Sequence, residues 1–197
     1  MNNKGYTIIE IVVVALLVGI VASVAIPRAV RSTPSREVYR AARELVADLE
    51  QVRTRAVANK RVLRVRFEPA ARFYTAFVDT TADYSGVLSE SEAEVRGSRL
   101  VIRGASGGLP GVSLPDPIVF SSGSASTGPA GRPTGGVVIS SGAEILDFDA
   151  RGLGTPLGTT GVVYLSHAED PEAVAAVTIS GAGSFQAWRL IDGDWVR

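Results

Sequence analysis

Residues 1–27, MNNKGYTIIEIVVVALLVGIVASVAIP, decide the fold because they place a long apolar run directly behind a short polar leader. In the 21 residues from Tyr6 to Ile26, only Glu10 is charged. A helix of that length rises about 1.5 Å per residue and can cross a hydrocarbon layer of about 30 Å. The sequence therefore predicts a leader over residues 1–5 and a transmembrane helix over residues 6–27.

Glu10 is the residue that a simple membrane anchor does not require. A charged side chain costs roughly 2.5 to 3.5 kcal/mol at the bilayer centre and less toward the edge, so it needs water or a cationic partner. If the chain is cut after Gly5, Tyr6 gains a free ammonium group. Glu10 of one subunit could then pair with that group on a neighbour whose helix packs alongside.

Residues 4–10, KGYTIIE, together with the apolar run and Pro27, resemble the class III signal of type IV prepilins and type II secretion pseudopilins. The resemblance implies that a prepilin peptidase cuts after Gly5 and methylates the new terminus at Tyr6. It also implies a subunit-assembly role for Glu10. Tyr6 replaces the usual phenylalanine and keeps an aromatic ring. The alternatives are a plain signal anchor, with Glu10 reaching the interface, and a secretory signal peptide.

The charges that flank the apolar run bear on orientation. Lys4 precedes it, whereas arginines at positions 28, 31, 36, 40 and 43 follow it. The positive-inside rule alone would place the globular part in the cytoplasm. The resemblance implies the opposite: a single-pass protein of the bacterial inner membrane with its C-terminal domain in the periplasm.

Residues 28–60 are predicted to form an amphipathic helix that continues the first helix, making one nearly continuous stem from Tyr6 to about Asn59. Pro34 and Ser35 suit a helix start. Apolar residues then recur at alternating steps of four and three, with arginines and acids opposite. This stripe comprises Val38, Ala42, Leu45, Leu49, Val52 and Ala56.

Residues 61–197 are predicted to form a β-rich globular domain, because the apolar period changes to two. After a first hairpin of residues 61–67 and 73–78, strands are predicted at residues 100–103, 118–120, 137–140, 145–148, 162–165, 174–180 and 185–190, with a turn at Asp192 and Gly193. Residues 121–136 are mostly Gly, Ser and Pro and indicate a mobile loop. The acidic residues 79–97 indicate another loop. The predicted class is α+β, with the long N-terminal helix packed on a mostly antiparallel sheet.

Residues 41–60, AARELVADLEQVRTRAVANK, and the strand VLRVRF that follows resemble the GspH/FimT group of minor pseudopilins and minor pilins. FDARGL at 148–153 and ISGAGSF at 179–185 are similar to that group's late glycine-bearing strands. The resemblance implies a minor pseudopilin, a structural subunit of the periplasmic pseudopilus of a type II secretion system, with other pseudopilins or pilins as partners. The alternative is a FimT-like minor type IV pilin that acts in pilus assembly or DNA uptake.

The charge distribution is uneven although the net charge is zero. Residues 28–72 hold 12 basic and 5 acidic side chains, whereas residues 73–197 hold 7 and 14. This separation of charge favours head-to-tail contact between subunits, or contact of the basic stem with anionic lipid. The simpler interpretation is that the charges only make one helix face more strongly solvated than another. Cysteine is absent, which excludes disulfides and thiolate metal sites.

No catalytic constellation emerges from the sequence. GASGG at 104–108 matches the nucleophile-elbow pattern, but LPG follows where that pattern needs a helix. His167 is the sole histidine and has no arranged partners. We therefore predict no enzyme, no cofactor and no small-molecule substrate.

Three weaker signals concern cation and nucleic-acid binding. Asp147 and Asp149 could bind calcium from one face of a strand. Their alternation with Phe148 is, however, typical of a strand with a solvent-exposed face opposite a buried one. Some FimT-like proteins are DNA receptors, and the resemblance directs attention to a Gly-Arg-x-Arg motif; residues 131–134, GRPT, lack its second arginine. The acidic outer domain also opposes phosphate binding. Trp188 and Trp195 are interpreted as core or edge residues.

Overall fold

The computed structural model of the chain describes residues 8–30, 34–80, 99–100, 102 and 111–197. The leader, the predicted cleavage position at Gly5 and Tyr6, the acidic segment beyond residue 80 and the motif at 104–108 lie outside these residues. The chain divides into two compact units, Met1–Thr33 and Pro34–Arg197.

The first unit contains helix α1, Ile8–Val30, which continues past Pro27. Among its described side chains, ten large aliphatic ones between Ile8 and Ile20 are each more than half exposed. None of the helices in the described part of the chain has the length and apolarity needed to cross a membrane.

The second unit begins with helix α2, Pro34–Asn59. Proline suits this first position because its missing N–H would have had no partner within the helix. All six residues of the predicted apolar stripe are buried, and Ala41 and Asp48 join them. Residues 31–33 lie outside the described residues, so the predicted continuity of the two helices stays a prediction.

The described strands form two antiparallel sheets. In chain order they are β1 Leu63–Glu68, β2 Phe73–Val78, β3 Arg99–Leu100, β4 Val112–Ser113, β5 Ile118–Val119, β6 Val137–Ile139, β7 Ile145–Phe148, β8 Gly154–Thr155, β9 Gly161–His167, β10 Asp170–Ile179, β11 Phe185–Ile191 and β12 Asp194–Val196. The first sheet has the order β3-β2-β1-β7-β8, with β4 also paired to β2. The second has the order β12-β11-β10-β9-β5, with β6 also paired to β9.

The first predicted hairpin is confirmed. β1 and β2 pair from Leu63 opposite Val78 to Glu68 opposite Phe73. A short 3-10 turn over Pro69–Ala71 connects them, and Arg72 closes it in the left-handed region at φ 53°. The last predicted turn is also present, since β11 and β12 pair around Asp192 and Gly193.

The main core lies where α2 packs on β9, β10 and β11 of the second sheet and on β1 of the first. Alternate residues of β9 and β10, such as Val163, Leu165, Ala175 and Val177, belong to this core. Their neighbours face the other way and form a second apolar cluster with Trp188. Every residue of β9 is buried, because the strand is covered on both faces.

The segment of residues 121–136, predicted to be a mobile loop, contains no strand and contacts the outer face of the second sheet at several points. Its Pro129 is buried. The Tyr164 hydroxyl donates to the Pro133 carbonyl at 2.8 Å, and Trp195 Nε1 donates to the Thr127 carbonyl at 2.7 Å. Glycine and serine allow this close packing, which composition alone does not reveal.

The helix-then-sheet order gives the predicted α+β class, and the antiparallel pairing of the described strands confirms it.

Candidate functional site

The aliphatic surface of α1 is the first candidate site. Glu10 is exposed and lies in the first turn of the helix, where a negative charge interacts favourably with the helix dipole. Around it Ile8 and Ile9 are 84% and 73% exposed. Such a surface gains free energy when lipid or another helix covers it. Glu10 places one carboxylate at its beginning that can accept hydrogen bonds from an ammonium group.

Asp147, considered from the sequence for cation binding, pairs instead with an arginine of the neighbouring strand. Arg64 on β1 faces Asp147 on β7, and its Nε and Nη2 each donate at 2.8 Å to a different carboxylate oxygen. The two side chains are 9% and 15% exposed. The carboxylate therefore holds two strands of the first sheet together.

Asp149 organises the turn that follows β7. Its carboxylate accepts the N–H groups of Arg151 and Leu153 at 2.8 and 2.9 Å, as well as the Arg151 guanidinium. Burial disfavours the ionised form, but these hydrogen bonds and the Arg151 charge outweigh it and hold the pKa of Asp149 below its ordinary value. Within the described ranges, no group of three acidic or histidine side chains is arranged to hold a metal ion.

His167 connects the second sheet to α2. Its Nδ1 accepts the N–H of Glu169 at 3.2 Å, and its Nε2 lies 3.9 Å from a carboxylate oxygen of Glu37. The ring is 8% exposed. The described contacts thus place His167 between secondary-structure elements and not beside a nucleophile.

Arg132, the arginine of the incomplete DNA-binding motif, is directed at the second sheet. Its Nη1 donates to the Gly161 carbonyl at 3.3 Å. Burial raises the pKa of the nearby Tyr164 to about 12, although the Arg132 charge acts in the opposite direction. Arg132 therefore contributes to packing of the segment 121–136.

The two tryptophans also serve structural contacts, as interpreted from the sequence. Trp188 Nε1 donates to Thr178 Oγ1 at 3.0 Å across β10 and β11. The Trp195 ring packs against Tyr164 with centroids 6.0 Å apart. Arg197 lies over the Trp188 ring at 4.7 Å.

A second candidate site, which the sequence interpretation missed, is a groove of about 440 Å³ that we call the arginine groove. Arginines from two elements line it together with one aromatic ring. Its lining residues are Arg36, Tyr39, Arg40, Arg43, Glu44 and Ala47 from α2 and Arg189 from β11. The spacing of the three helical arginines was a usable signal, since residues four and three apart share a helix face. The position of Arg189 needed the fold.

An acidic pocket of about 540 Å³ is lined by Ser35 at the start of α2, by residues of the segment 121–136 and by the end of β11. Its charged residues are Asp170, Glu172 and Asp192. Leu190 of this lining packs with the apolar cluster on the outer face of the second sheet, whereas Arg189 faces Tyr39 of α2, so the acidic pocket and the arginine groove involve opposite faces of β11.

Comparison with known proteins finds likeness among solved structures only. No family model matches the chain, and no curated protein matches it significantly. The chain is similar to the type IV minor pilin FimU of Pseudomonas aeruginosa strain PAO1 in two crystal forms, with 17% identity to each. One comparison covers 82% of this chain and 94% of FimU with a TM-score of 0.49. The other covers 80% and 96% with a TM-score of 0.45.

Proposed function

We propose that this chain is a pilin-like structural subunit: a minor pseudopilin that joins the periplasmic pseudopilus of a type II secretion system. In this proposal residues 6–27 anchor the chain in the bacterial inner membrane. A prepilin peptidase removes residues 1–5 and methylates Tyr6. Other pseudopilins or pilins then pack against the anchored helix.

The observation that carries the proposal is the exposed aliphatic surface of α1. Ten large aliphatic side chains of one helix are more than half exposed, while the second unit encloses the main apolar core. A lipid environment covers such a helix before assembly, and neighbouring helices cover it within a filament. Burial first by lipid and then by neighbouring helices is what a subunit that leaves the membrane to join a polymer requires.

Glu10 gives the packing of neighbouring helices a defined register. It lies in the first turn of α1, five positions after the proposed cleavage position. An ammonium group on a neighbour's processed Tyr6 could form a charge-assisted hydrogen bond with it, which is stronger than a neutral one. Because both groups lie at the same end of the helix, their pairing favours a parallel arrangement with a small axial offset.

Mass spectrometry of the native protein tests the processing step. We expect a chain that lacks residues 1–5 and carries one methyl group on Tyr6. Extraction of membranes at alkaline pH tests anchoring, and the chain should remain in the membrane fraction. An intact leader, or release into the soluble fraction, would contradict the proposal.

Copurification with sheared filaments tests the assembly step. Glu10→Ala should still be processed but should be lost from the filament fraction, whereas the exposed-acid control Glu68→Ala should incorporate normally. Since the chain has no cysteine, single introduced cysteines on α1 can be crosslinked between subunits without background. Recovery of the chain with a secretion pseudopilus would assign it to type II secretion, and recovery with a type IV pilus would assign it to pilus assembly. Unchanged incorporation of Glu10→Ala would overturn the assembly role.

A further inference from the structure

The arginine groove presents cationic side chains that the described chain does not neutralise. Arg36 and Arg43 are exposed, and neither forms an ion pair or hydrogen bond within the described residues. Arg40 pairs with Glu44 at 3.1 Å, but its side chain is 83% exposed, so water weakens this pair. The groove therefore keeps a positive potential.

Arg189 brings a fourth guanidinium to the groove from the sheet. Its carbon Cζ lies 5.7 Å from the centroid of the Tyr39 ring, within the range of a cation–π contact. Its Nε is buried and has no hydrogen-bond partner within the described part of the chain. Buried donors normally have acceptors. An anion beside this guanidinium would compensate a charge that the protein leaves only partly solvated.

We propose that the arginine groove binds the phosphate of an anionic phospholipid head group, an inference that rests on the membrane anchoring proposed above. Arg36 follows the last residue of α1, Val30, by six positions. Six residues extend at most about 21 Å, so the groove of an anchored chain is within reach of the head groups. Basic clusters that flank a membrane segment recognise anionic lipid in this way. Guanidinium groups bind phosphate oxygens in a bidentate manner.

The size of the arginine groove favours a small anionic group over nucleic acid. A DNA duplex binds through many phosphates along an extended basic surface, whereas the groove offers four guanidinium groups beside one aromatic ring. A single head group needs no larger surface than this. The occupant is therefore a lipid phosphate, and DNA or an acidic segment of a neighbouring subunit is an outcome that the test must exclude.

Native mass spectrometry of the full chain in detergent, with equal amounts of phosphatidylglycerol and phosphatidylcholine added, tests the proposal. Lipid that binds α1 through its acyl chains contributes equally to both, so the ratio of the two adducts reports the head group. We expect phosphatidylglycerol to dominate in the unmodified chain. The variant Arg36→Gln with Arg43→Gln should lower that preference about tenfold or more.

A matched control removes the same charge elsewhere. Lys60→Gln with Arg151→Gln changes two exposed residues far from the groove lining and should leave the lipid preference unchanged. The circular dichroism melt of the groove variant should match that of the unmodified chain, because Arg36 and Arg43 are exposed and form no ion pair within the described residues. The melt of the control variant should fall slightly, because Arg151 pairs with Asp149, and a folded control is sufficient for the lipid comparison. Equal preference in the groove variant and the control would overturn the inference.

Two further measurements identify the occupant. Fluorescence anisotropy with a DNA duplex and with a poly-glutamate peptide should show no binding that depends on Arg36 and Arg43. Arginine-dependent binding of either probe, without a phosphatidylglycerol preference, would replace the lipid by that partner. The lipid measurement does not depend on leader processing, so an unprocessed chain that prefers phosphatidylglycerol would contradict the proposed function alone.

Discussion

Replacement of Arg64 by methionine measures how strongly the ion pair between β1 and β7 holds the first sheet. Both donors of Arg64 lie 2.8 Å from the Asp147 carboxylate, and the two side chains are only 9% and 15% exposed. Removing one partner of a buried pair costs about 3 to 5 kcal/mol, because the other charge stays behind. The remaining exposure of Asp147 places the cost near the lower end, about 3 kcal/mol. For a unit of this size that corresponds to a fall in Tm of about 6 to 12 °C.

Thermal unfolding of the full chain in detergent, followed by circular dichroism, is the assay. Arg40→Met is the matched control, since its pair with Glu44 is 83% and 36% exposed and should cost less than about 1 kcal/mol. The double variant Arg64→Met with Asp147→Leu should be closer to the unmodified chain than Arg64→Met alone, because no buried charge remains. The reasoning fails if Arg64→Met lowers Tm no more than Arg40→Met, or if the two changes are additive.

Three further predictions concern the second unit. Tyr74→Phe removes the hydroxyl that donates to the buried Asp48 carboxylate of α2. We expect the free energy of unfolding, measured from the urea midpoint, to fall by about 2 kcal/mol. Folding raises the pKa of Tyr164 to about 12, so the hydroxyl contributes its full stabilisation below about pH 10 and loses it as the pH rises from there toward about 12. Tyr164→Phe should therefore flatten the pH dependence of the urea midpoint between about pH 10 and 12. Gly183 and Gly142 both have a left-handed backbone, at φ 73° and φ 78°, so replacing either by alanine should lower the free energy of unfolding by roughly 1 to 2 kcal/mol. Gly183→Ala would also place a Cβ 2.5 Å from the Gly152 carbonyl oxygen, whereas the Cβ of Gly142→Ala meets nothing within 4 Å, so the first should cost more. Equal losses in Tm would contradict the steric argument.

Local periodicity predicted the elements that carry their own pattern. The stripe of α2 repeats every three to four residues, and β1 and β2 alternate, so their buried faces follow from spacing alone. Strands β4 and β8 have two residues each and depend on pairing with β2 and β7, which no local signal encodes. Asp48 interrupts the apolar stripe of α2, and its burial beside the Tyr74 hydroxyl of β2 could not be read from the helix alone.

The same contrast applies to the candidate sites. Gly5, Tyr6 and Glu10 are neighbours in the chain, so their proposed roles follow from a short stretch of sequence. The arginine groove joins α2 to β11, which are distant in sequence, and therefore required the fold. The composition of segment 121–136 indicates a loop, but it does not reveal the hydrogen bonds that Tyr164 and Trp195 donate to this segment from elsewhere in the chain.

The packing of α2 on β9, β10 and β11 has a consequence for biosynthesis. The helix is complete at Asn59, whereas β9 begins only at Gly161. At about 5 to 20 residues per second, the ribosome produces these strands roughly 5 to 20 s after the helix. During that interval β1 is the only one of the four strands that pack on the helix to have been made, so most of the apolar stripe lacks its native cover and can bind holding chaperones until the later strands emerge.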